Sequence, residues 1–278
     1  MQKIKIVTDS CLDIPQEIIM ENNIEVLPVL INFGEESYID IEEINLKDMQ
    51  ERIERENILP TTAQIIPSRF EECFRRNLEE GYKVIAIIMS SNMSGTYQSA
   101  CLAKNMIESD DIVVIDTQTI TSGEGLLVLK ACRLRDQGLS IEEIEKEILD
   151  TVPKVKSSLA FESLENLVKG GRISKTAAAI GTALGLRIIL EVKDGIMSVK
   201  DKVRGGKKAL KKIISDYEAG NPDPNEPVIL LQNANPELSK ALKEYLTDNN
   251  IKHIDATVGC AVGIHSGPKA GGLFFISK

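Results

Sequence analysis

Short apolar runs alternate with amphipathic stretches along the first half of the chain. Residues 84–89 are all apolar, as in a strand that is buried on both faces of a parallel sheet. The segment after residue 67 instead repeats its apolar residues with the spacing of one helix face, at Phe70, Cys73, Phe74 and Leu78. This alternation of strands and helices predicts an α/β fold with a parallel sheet.

The same patterns predict the other elements of this half. Further strands are predicted at 4–8, 24–33 and 112–115, and helices at 46–56 and 122–136. Other helices are expected to begin at Pro15, at Ser94 with Gly95 in the first turn, and at Ser140. Ser140 and Glu143 have the spacing of a capping box, which fixes the start of the last of these helices.

The pattern changes after about residue 153. Strands are predicted at 155–161, 186–192, 197–200, 228–232, 253–258 and 273–276. Helices are predicted at 163–169, 206–217 and 236–247, and a small-residue helix from Ser174 to 180. Asp194-Gly195 predicts a hairpin turn. We therefore predict two α/β domains, residues 1–155 and 156–278, with a cleft between them.

The composition of the chain disfavours a nucleic-acid-binding function. The chain has 278 residues, of which 42% are hydrophobic, enough for a sizeable core. Its net charge is −9, it contains no tryptophan and only 4% of its residues are aromatic. A nucleic-acid-binding protein needs a basic surface and often aromatic stacking platforms, so this class is disfavoured.

The cysteines and histidines also limit the chemistry. Five cysteines without a C-x-x-C pair indicate reduced thiols in a cytosolic protein. The only histidines, His253 and His265, have no neighbouring cysteine or histidine, so no metal site and no cofactor are expected. We find neither a signal peptide nor an apolar run of membrane-spanning length, and we expect a cytoplasmic location.

A serine-rich turn follows the apolar run at 84–89. It contains Ser90, Ser91 and Ser94 and leads into a helix, so hydroxyls and unpaired backbone N–H groups are expected together. Such a turn suits a phosphate or a carboxylate, which neutral donors would hold because the turn has no lysine or arginine. The alternative is a well-capped helix without a ligand.

Two other segments carry candidate residues. Residues 59–64, with Thr61 and Thr62, form a polar segment between two helices, read either as a functional loop or as an ordinary turn. His265 lies among glycines after a strand, where the backbone can approach a ligand closely. It is equally consistent with a histidine that binds a carbonyl group in a tight turn.

A serine hydrolase is a further possibility, with Ser94 as nucleophile, His265 as base and Asp9 or Asp116 as the orienting carboxylate. The G-x-S-x-G elbow is absent at Ser94, so we favour binding over catalysis. A basic cluster in this acidic protein indicates a solvated face or a docking surface for an acidic partner. It comprises Lys200, Lys202, Arg204, Lys207, Lys208, Lys211 and Lys212.

Taken together, these segments resemble the DegV family, the fatty-acid-binding proteins of bacteria. The resemblance spans the chain through five motifs in the family's order. They are Ile6–Ser10, Thr61–Gln64, Ser90–Tyr97, Gly171–Lys175 and Gly263–Pro268. Two departures stand out: Ala63 replaces a serine, and Arg187-Ile188 stands where the family has Lys-Pro.

The resemblance implies a long-chain fatty acid, such as palmitate, stearate or oleate, bound between the two domains. Its carboxylate would contact Thr62, Ser94 and His265, with supporting roles for Thr61, Ser91, Gly95 and Ser266. The protein would itself be non-catalytic and would present the fatty acid to a separate ATP-dependent fatty acid kinase subunit, which makes acyl phosphate for phospholipid synthesis.

We expect Arg172 and Arg204, with the basic cluster, to form the docking surface for that subunit. A lipid-ester hydrolase or acyltransferase and a phosphate-ester-binding protein remain the alternatives.

Overall fold

The first half of the chain contains a four-stranded parallel sheet in the order β2-β1-β6-β7. The computed structural model describes residues 2–174, 176 and 185–278. The strands of this sheet are β1 (Ile4–Asp9), β2 (Glu25–Leu27), β6 (Lys83–Ile88) and β7 (Ile112–Asp116). Apart from Lys83, every residue of β6 is buried, as the continuous apolar run predicts.

A second, antiparallel sheet of three strands lies beside it, in the order β4-β3-β5. Its strands are β3 (Leu30–Phe33), β4 (Glu36–Ile39) and β5 (Thr61–Ala63). The prediction of one strand at 24–33 is wrong, because Pro28 separates β2 from β3 and the two strands join different sheets. The prediction of a loop at 59–64 is also wrong, since β5 pairs with β3.

The second half forms a six-stranded mixed sheet in the order β10-β9-β8-β13-β11-β12, in which only the pair β11 and β12 is parallel. Its strands are β8 (Val155–Phe161), β9 (Leu186–Lys193), β10 (Ile196–Arg204), β11 (Val228–Asn233), β12 (His253–Thr257) and β13 (Ala270–Ile276). The α/β class is confirmed and the hairpin at Asp194-Gly195 is present, with β10 four residues longer than predicted at its C-terminal end. The division at residue 155 stays a prediction.

Ten helices connect these strands within the described residues. They are α1 (Gln16–Glu21), α2 (Leu46–Glu56), α3 (Pro67–Glu79), α4 (Thr96–Ile107), α5 (Ser122–Asp136), α6 (Ile141–Thr151), α7 (Glu165–Lys169), α8 (Gly206–Ala219), α9 (Pro236–Asp248) and α10 (Cys260–Ser266). The capping box of Ser140 and Glu143 is confirmed. The helix predicted from Ser174 to 180 falls largely outside the described residues.

Two helices differ from the prediction near the candidate site. Helix α4 begins at Thr96 with Gly95 as its N-cap, one residue later than the prediction of Ser94 as the cap and Gly95 in the first turn. His265 lies in the last turn of α10 instead of in a tight glycine turn. Gly259 and Gly267 flank this helix, which explains why the segment resembles a loop in sequence.

Helix α5 joins the two halves. Its Leu126, Leu127, Val128 and Ala131 are all buried. It packs against β1 and β6 of the parallel sheet and against β11 and β13 of the mixed sheet. Residues 122–129 are all buried, so the N-terminal half of this helix lies inside the protein and lets one hydrophobic core extend through both halves. No helix among the described residues has both the length and the apolar character of a membrane span.

Candidate functional site

A cavity lies between the two halves, with an empty space of about 1100 Å³ that includes solvent at its opening. Most of its wall is apolar. The first half contributes Cys11, Val29, Met89, Met93 and Ile120, and the second half contributes Leu159, Phe161, Leu167, Met197 and Leu231. An apolar chamber with a few polar groups suits a ligand that is mainly hydrocarbon.

Thr62 and His265 meet in this wall. Thr62 Oγ1 lies 3.1 Å from His265 Nε2, which joins β5 of the first half to α10 of the second. Thr62, Ala63 and Gln64 all line the cavity. Thr61, the first residue of β5, is exposed and is not among the lining residues.

The His265 ring is neutral at physiological pH. Burial, and secondarily the charge of Arg172, lower its pKa from 6.5 to about 4. Its Nδ1 is buried and has no hydrogen-bond partner among the described residues. A Cβ on Gly170 would lie 2.2 Å from this Nδ1, so glycine is needed for the close approach. A neutral ring has one donor and one acceptor nitrogen; Nε2 contacts Thr62, and Nδ1 lies beside Gly170.

Ser94 and Gly95 also line the cavity, at the start of α4. The Ser94 hydroxyl accepts a hydrogen bond of 3.2 Å from the backbone N–H of Thr96 and lies 2.9 Å from Thr96 Oγ1. A Cβ on Gly95 would lie 1.9 Å from Gln64 Oε1, so glycine at this position lets the Gln64 side chain lie against the serine turn. Gln64 directly follows β5, so the end of this strand and the serine turn are neighbours in the cavity wall.

Ser91 and Ser266 have other partners. The Ser91 hydroxyl donates to Asp116, and Ser91 is not among the lining residues, so its contribution is to shape the turn. Ser266 lines the cavity, and its hydroxyl accepts a hydrogen bond of 3.1 Å from the Asn233 side-chain amide. Of the predicted residues, Thr62, Ser94, Gly95, His265 and Ser266 are brought together around the cavity.

Arg172 also lines the cavity, which the sequence did not indicate. Its Nε donates to the Met93 carbonyl oxygen at 3.3 Å, and its Nη1 donates to the Gly170 carbonyl oxygen. The serine turn itself has no cation, but Arg172 brings one to it from the other half of the chain. Arg204 is exposed at the end of β10 and lies outside the cavity wall.

The basic cluster is partly neutralised by neighbouring carboxylates. Lys212 Nζ lies 2.8 Å from Asp216, and Lys200 Nζ lies 3.1 Å from Glu191. The remaining members are exposed side chains: Lys202, Arg204, Lys207, Lys208 and Lys211. The surface that could attract an acidic partner is therefore smaller than the sequence suggests.

Three buried carboxyl groups, of Asp9, Asp13 and Glu124, bind backbone N–H groups or a hydroxyl close to the cavity wall, which local sequence patterns do not reveal. Asp9 accepts hydrogen bonds of 2.9 Å from the backbone N–H groups of Met89 and Cys11, both of which line the cavity. Glu124, fully buried, accepts a bond from Thr8 at 2.8 Å. Burial raises the pKa of both Asp9 and Glu124. Burial also raises the pKa of Asp13 to about 8, and Asp13 binds the backbone N–H of Gly259 at 2.7 Å.

The geometry does not assemble a serine hydrolase. The Ser94 hydroxyl contacts Thr96, whereas His265 contacts Thr62. Asp9 binds backbone N–H groups, and Asp116 binds Ser91, so neither carboxylate orients the histidine in the described part of the chain. The five cysteines are free thiols, and residues 2–174, 176 and 185–278 contain no cluster of His, Cys, Asp or Glu placed to hold a metal ion.

Comparison with known proteins places this site in a family. The family model described as "Uncharacterised protein, DegV family" matches residues 3–278. The chain belongs to the DegV family. A DegV domain-containing protein of Clostridium acetobutylicum is 54% identical over 278 residues, and the alignment covers 100% of both chains.

Solved DegV structures have the same fold. A fatty-acid-binding DegV family protein of Thermus thermophilus superposes with a TM-score of 0.92 at 29% identity and with 100% of both chains covered. A stearic acid-binding protein of Eubacterium ventriosum gives a TM-score of 0.87 at 25% identity, covering 100% of this chain and 99% of the other. The predicted family and two-domain α/β fold are confirmed.

Proposed function

We propose that this protein is a non-catalytic carrier that holds one long-chain fatty acid in the cavity between its two halves. The carboxylate lies at Thr62, Ser94 and His265, and the hydrocarbon tail lies among the apolar wall residues. The observation that carries this proposal is an apolar cavity whose wall contains the Thr62–His265 pair and the Ser94 turn. Solved relatives described as binding fatty acid support it.

The energetics agree with such a ligand. Burying a tail of about sixteen carbons at ~0.8 kcal/mol per CH₂ contributes on the order of 12 kcal/mol, before the costs of association. The carboxylate needs several donors once it leaves water. Hydroxyl groups, a neutral imidazole and the nearby Arg172 guanidinium supply them.

We further infer that the bound fatty acid is presented to a separate ATP-dependent fatty acid kinase subunit, which converts it to acyl phosphate for phospholipid synthesis in the cytoplasm. The family resemblance and the exposed basic residues near Arg204 support this step. The two domains, 1–155 and 156–278, would each supply one wall of the cavity. Arg172 would act at the cavity and at the docking surface together.

Ligand analysis tests the carrier function directly. Native mass spectrometry of the purified protein, followed by solvent extraction, should show about one acyl chain per protein. Ser94→Ala and His265→Ala should each weaken fatty acid binding by about 1–3 kcal/mol, because a buried carboxylate loses a donor. Ser109→Ala is the matched control, since its hydroxyl, like that of Ser94, accepts from the backbone N–H two residues later, and Ser109 does not line the cavity. A protein that is empty and that binds neither palmitate nor oleate would contradict the proposal.

The docking step has its own test. Acyl-phosphate formation by a fatty acid kinase subunit is measured with wild type, Arg172→Ala and Arg204→Ala, all shown beforehand to carry equal amounts of fatty acid. Both variants should be slower, and the wild-type rate should fall as salt is added. Equal rates of acyl-phosphate formation for wild type and both variants, at equal protein concentration, would mean that the basic residues form only a solvated face and not a docking surface. Ester hydrolysis by the wild-type protein that disappears in Ser94→Ala would instead favour a lipid-ester hydrolase or acyltransferase. Displacement of the fatty acid by a phosphate ester would favour a phosphate-ester-binding protein.

A further inference from the structure

The tip of the β9–β10 hairpin touches the serine turn directly. The Ser90 hydroxyl, which is 0% exposed, donates a hydrogen bond of 2.7 Å to the Gly195 carbonyl oxygen. The side-chain amide of Asn92 donates to the neighbouring Asp194 carbonyl oxygen at 3.1 Å. Two side chains of the first half thus bind two consecutive carbonyl groups of the second half.

The same hydroxyl also shapes the turn. Ser90 Oγ accepts a hydrogen bond of 3.2 Å from the backbone N–H of Asn92. The Ser90 backbone N–H donates to the Thr119 carbonyl oxygen at 2.8 Å, which ties the turn to the segment after β7. The Ser90 side chain is therefore used twice, once within the turn and once across the two halves.

Gly195 permits this contact. A Cβ at this position would lie 2.6 Å from Ser90 Oγ and 2.8 Å from Asn92 Nδ2. Its φ of +77° is also one that glycine adopts readily. The positive φ follows from the Asp-Gly hairpin turn, whereas the close approach to Ser90 and Asn92 is a separate constraint that the turn does not impose.

The contact lies at the cavity wall. Met89 and Met93, which flank Ser90 and Asn92 in the turn, both line the cavity. Met197, two residues after Gly195, lines it from the hairpin. Separation of the turn from the hairpin would therefore part the wall between these methionines.

We propose that Ser90 and Asn92 are positioning residues that hold the β9–β10 hairpin against the serine turn and so slow the exchange of the bound fatty acid. This inference rests on the proposed function, but neither residue needs to touch the ligand. Ser90 contributes more than Asn92, because the Ser90 hydrogen bond is buried whereas the Asn92 side chain is exposed.

Stopped-flow dissociation of cis-parinaric acid, chased with excess oleate, tests the inference. Ser90→Ala should raise the dissociation rate constant roughly three- to tenfold, and Asn92→Ala about twofold. The matched control is Ser158→Ala, which also removes the hydroxyl of a fully buried serine; this hydroxyl donates at 2.8 Å to Asp216 within the second half, and neither residue lines the cavity. Urea unfolding measured for each variant separates lost stability from faster exchange.

A second arm tests the contact itself. Gly195→Ala should speed dissociation in the wild-type background, because the new methyl group meets the Ser90 hydroxyl. The same change should have a smaller additional effect in a Ser90→Ala background, where that oxygen is gone, while the backbone strain is common to both and cancels.

The outcomes are distinct. Faster dissociation in Ser90→Ala than in Ser158→Ala, together with non-additivity with Gly195→Ala, supports the proposal. Equal rates in the two serine variants, or additive effects of Ser90→Ala and Gly195→Ala, overturn it while leaving the carrier function intact. If Ser90→Ala does not fold, an unchanged rate in Asn92→Ala overturns it. A wild-type protein that binds no parinaric acid contradicts the proposed function and this inference with it.

Discussion

The Thr62 hydroxyl and the His265 imidazole are 203 residues apart in sequence, yet they meet because α10 packs against β3, the neighbour of β5. Each side chain alone is chemically ordinary. Their contact in the wall of an apolar cavity is the basis of the head-group site proposed above, because a hydroxyl and a neutral imidazole can rearrange their protons to match a carboxylate. Two glycines permit the close packing of this site: Gly95 lies against the Gln64 side chain, and Gly170 lies against the His265 ring.

Gly170→Ala tests one of these approaches. Its φ of −75° suits alanine, but the added Cβ would lie 2.2 Å from His265 Nδ1 and must displace the ring. Fatty acid binding should weaken about tenfold, as when one buried hydrogen bond is lost. The measurement is equilibrium binding of parinaric acid. Gly206→Ala is the control, because a Cβ there meets no atom within 4 Å, and equal affinities of the two variants would contradict this account.

The protonation of His265 gives a second prediction. With its pKa lowered to about 4, the ligand-free protein should show no titration of the His265 ring between pH 7.5 and pH 5.5. Since the depressed pKa lies below that of the unfolded chain, stability is lost as the pH falls from 6.5 toward 4. Proton NMR of the Cε1–H signals of the two histidine rings, recorded as the pH is lowered, measures the titration. The signal that is lost in His253→Gln belongs to His253, which assigns the other to His265. A titration midpoint of the His265 signal near pH 6.5 would contradict the lowered pKa.

At the scale of the element, α10 depends on a carboxyl group from the other half. Asp13 Oδ1 accepts from the backbone N–H of Gly259, the N-cap of α10, and so fixes the helix that carries His265. Anions are favourable at this end of a helix, but burial outweighs that preference and raises the pKa of Asp13 to about 8. The folded protein therefore retains a proton that the unfolded chain releases near pH 4.

Asp13→Asn should flatten the pH dependence of stability. The raised pKa of Asp13 contributes stability that is fully present below pH 3.8 and is lost as the pH rises toward about 8. Asparagine keeps the acceptor for Gly259 and cannot titrate. Urea unfolding at pH 5, 6, 7 and 8 should show a steeper decline in wild type than in Asp13→Asn. If the free energy of unfolding changed with pH in the same way in both proteins, the raised pKa of Asp13 would be contradicted, since the other buried carboxyl groups are common to both.

Periodicity predicted most elements of the fold but not their partners. The capping box at Ser140 and the hairpin at Asp194-Gly195 are fixed by local chemistry, and both are present. The three-residue strand β5 is too short for periodicity to reveal and forms because β3 offers an edge for pairing. The position of Arg172 in the cavity wall is not predictable for a similar reason, because local sequence cannot show that the Met93 carbonyl group lies beside it.

At the scale of the whole molecule, both halves line the cavity, and the larger hydrophobic core continues from one half into the other. A ligand that filled this cavity would contact α10, β5, the serine turn and the β9–β10 hairpin at once. It can therefore bind only when both halves are folded and in contact. Binding and overall stability are consequently linked through mass action.

Oleate should accordingly stabilise the delipidated protein. At a free oleate concentration of about 100 times Kd, the free energy of unfolding should rise by about 2.7 kcal/mol, provided that the unfolded chain does not bind. Urea unfolding followed by far-UV circular dichroism measures this. Butyrate is the matched ligand control: it carries the same carboxylate without the long tail, and it should give no measurable shift because the tail supplies most of the affinity. Equal stabilisation by butyrate would mean that the head-group contacts dominate, whereas no stabilisation by oleate would contradict binding between the two halves.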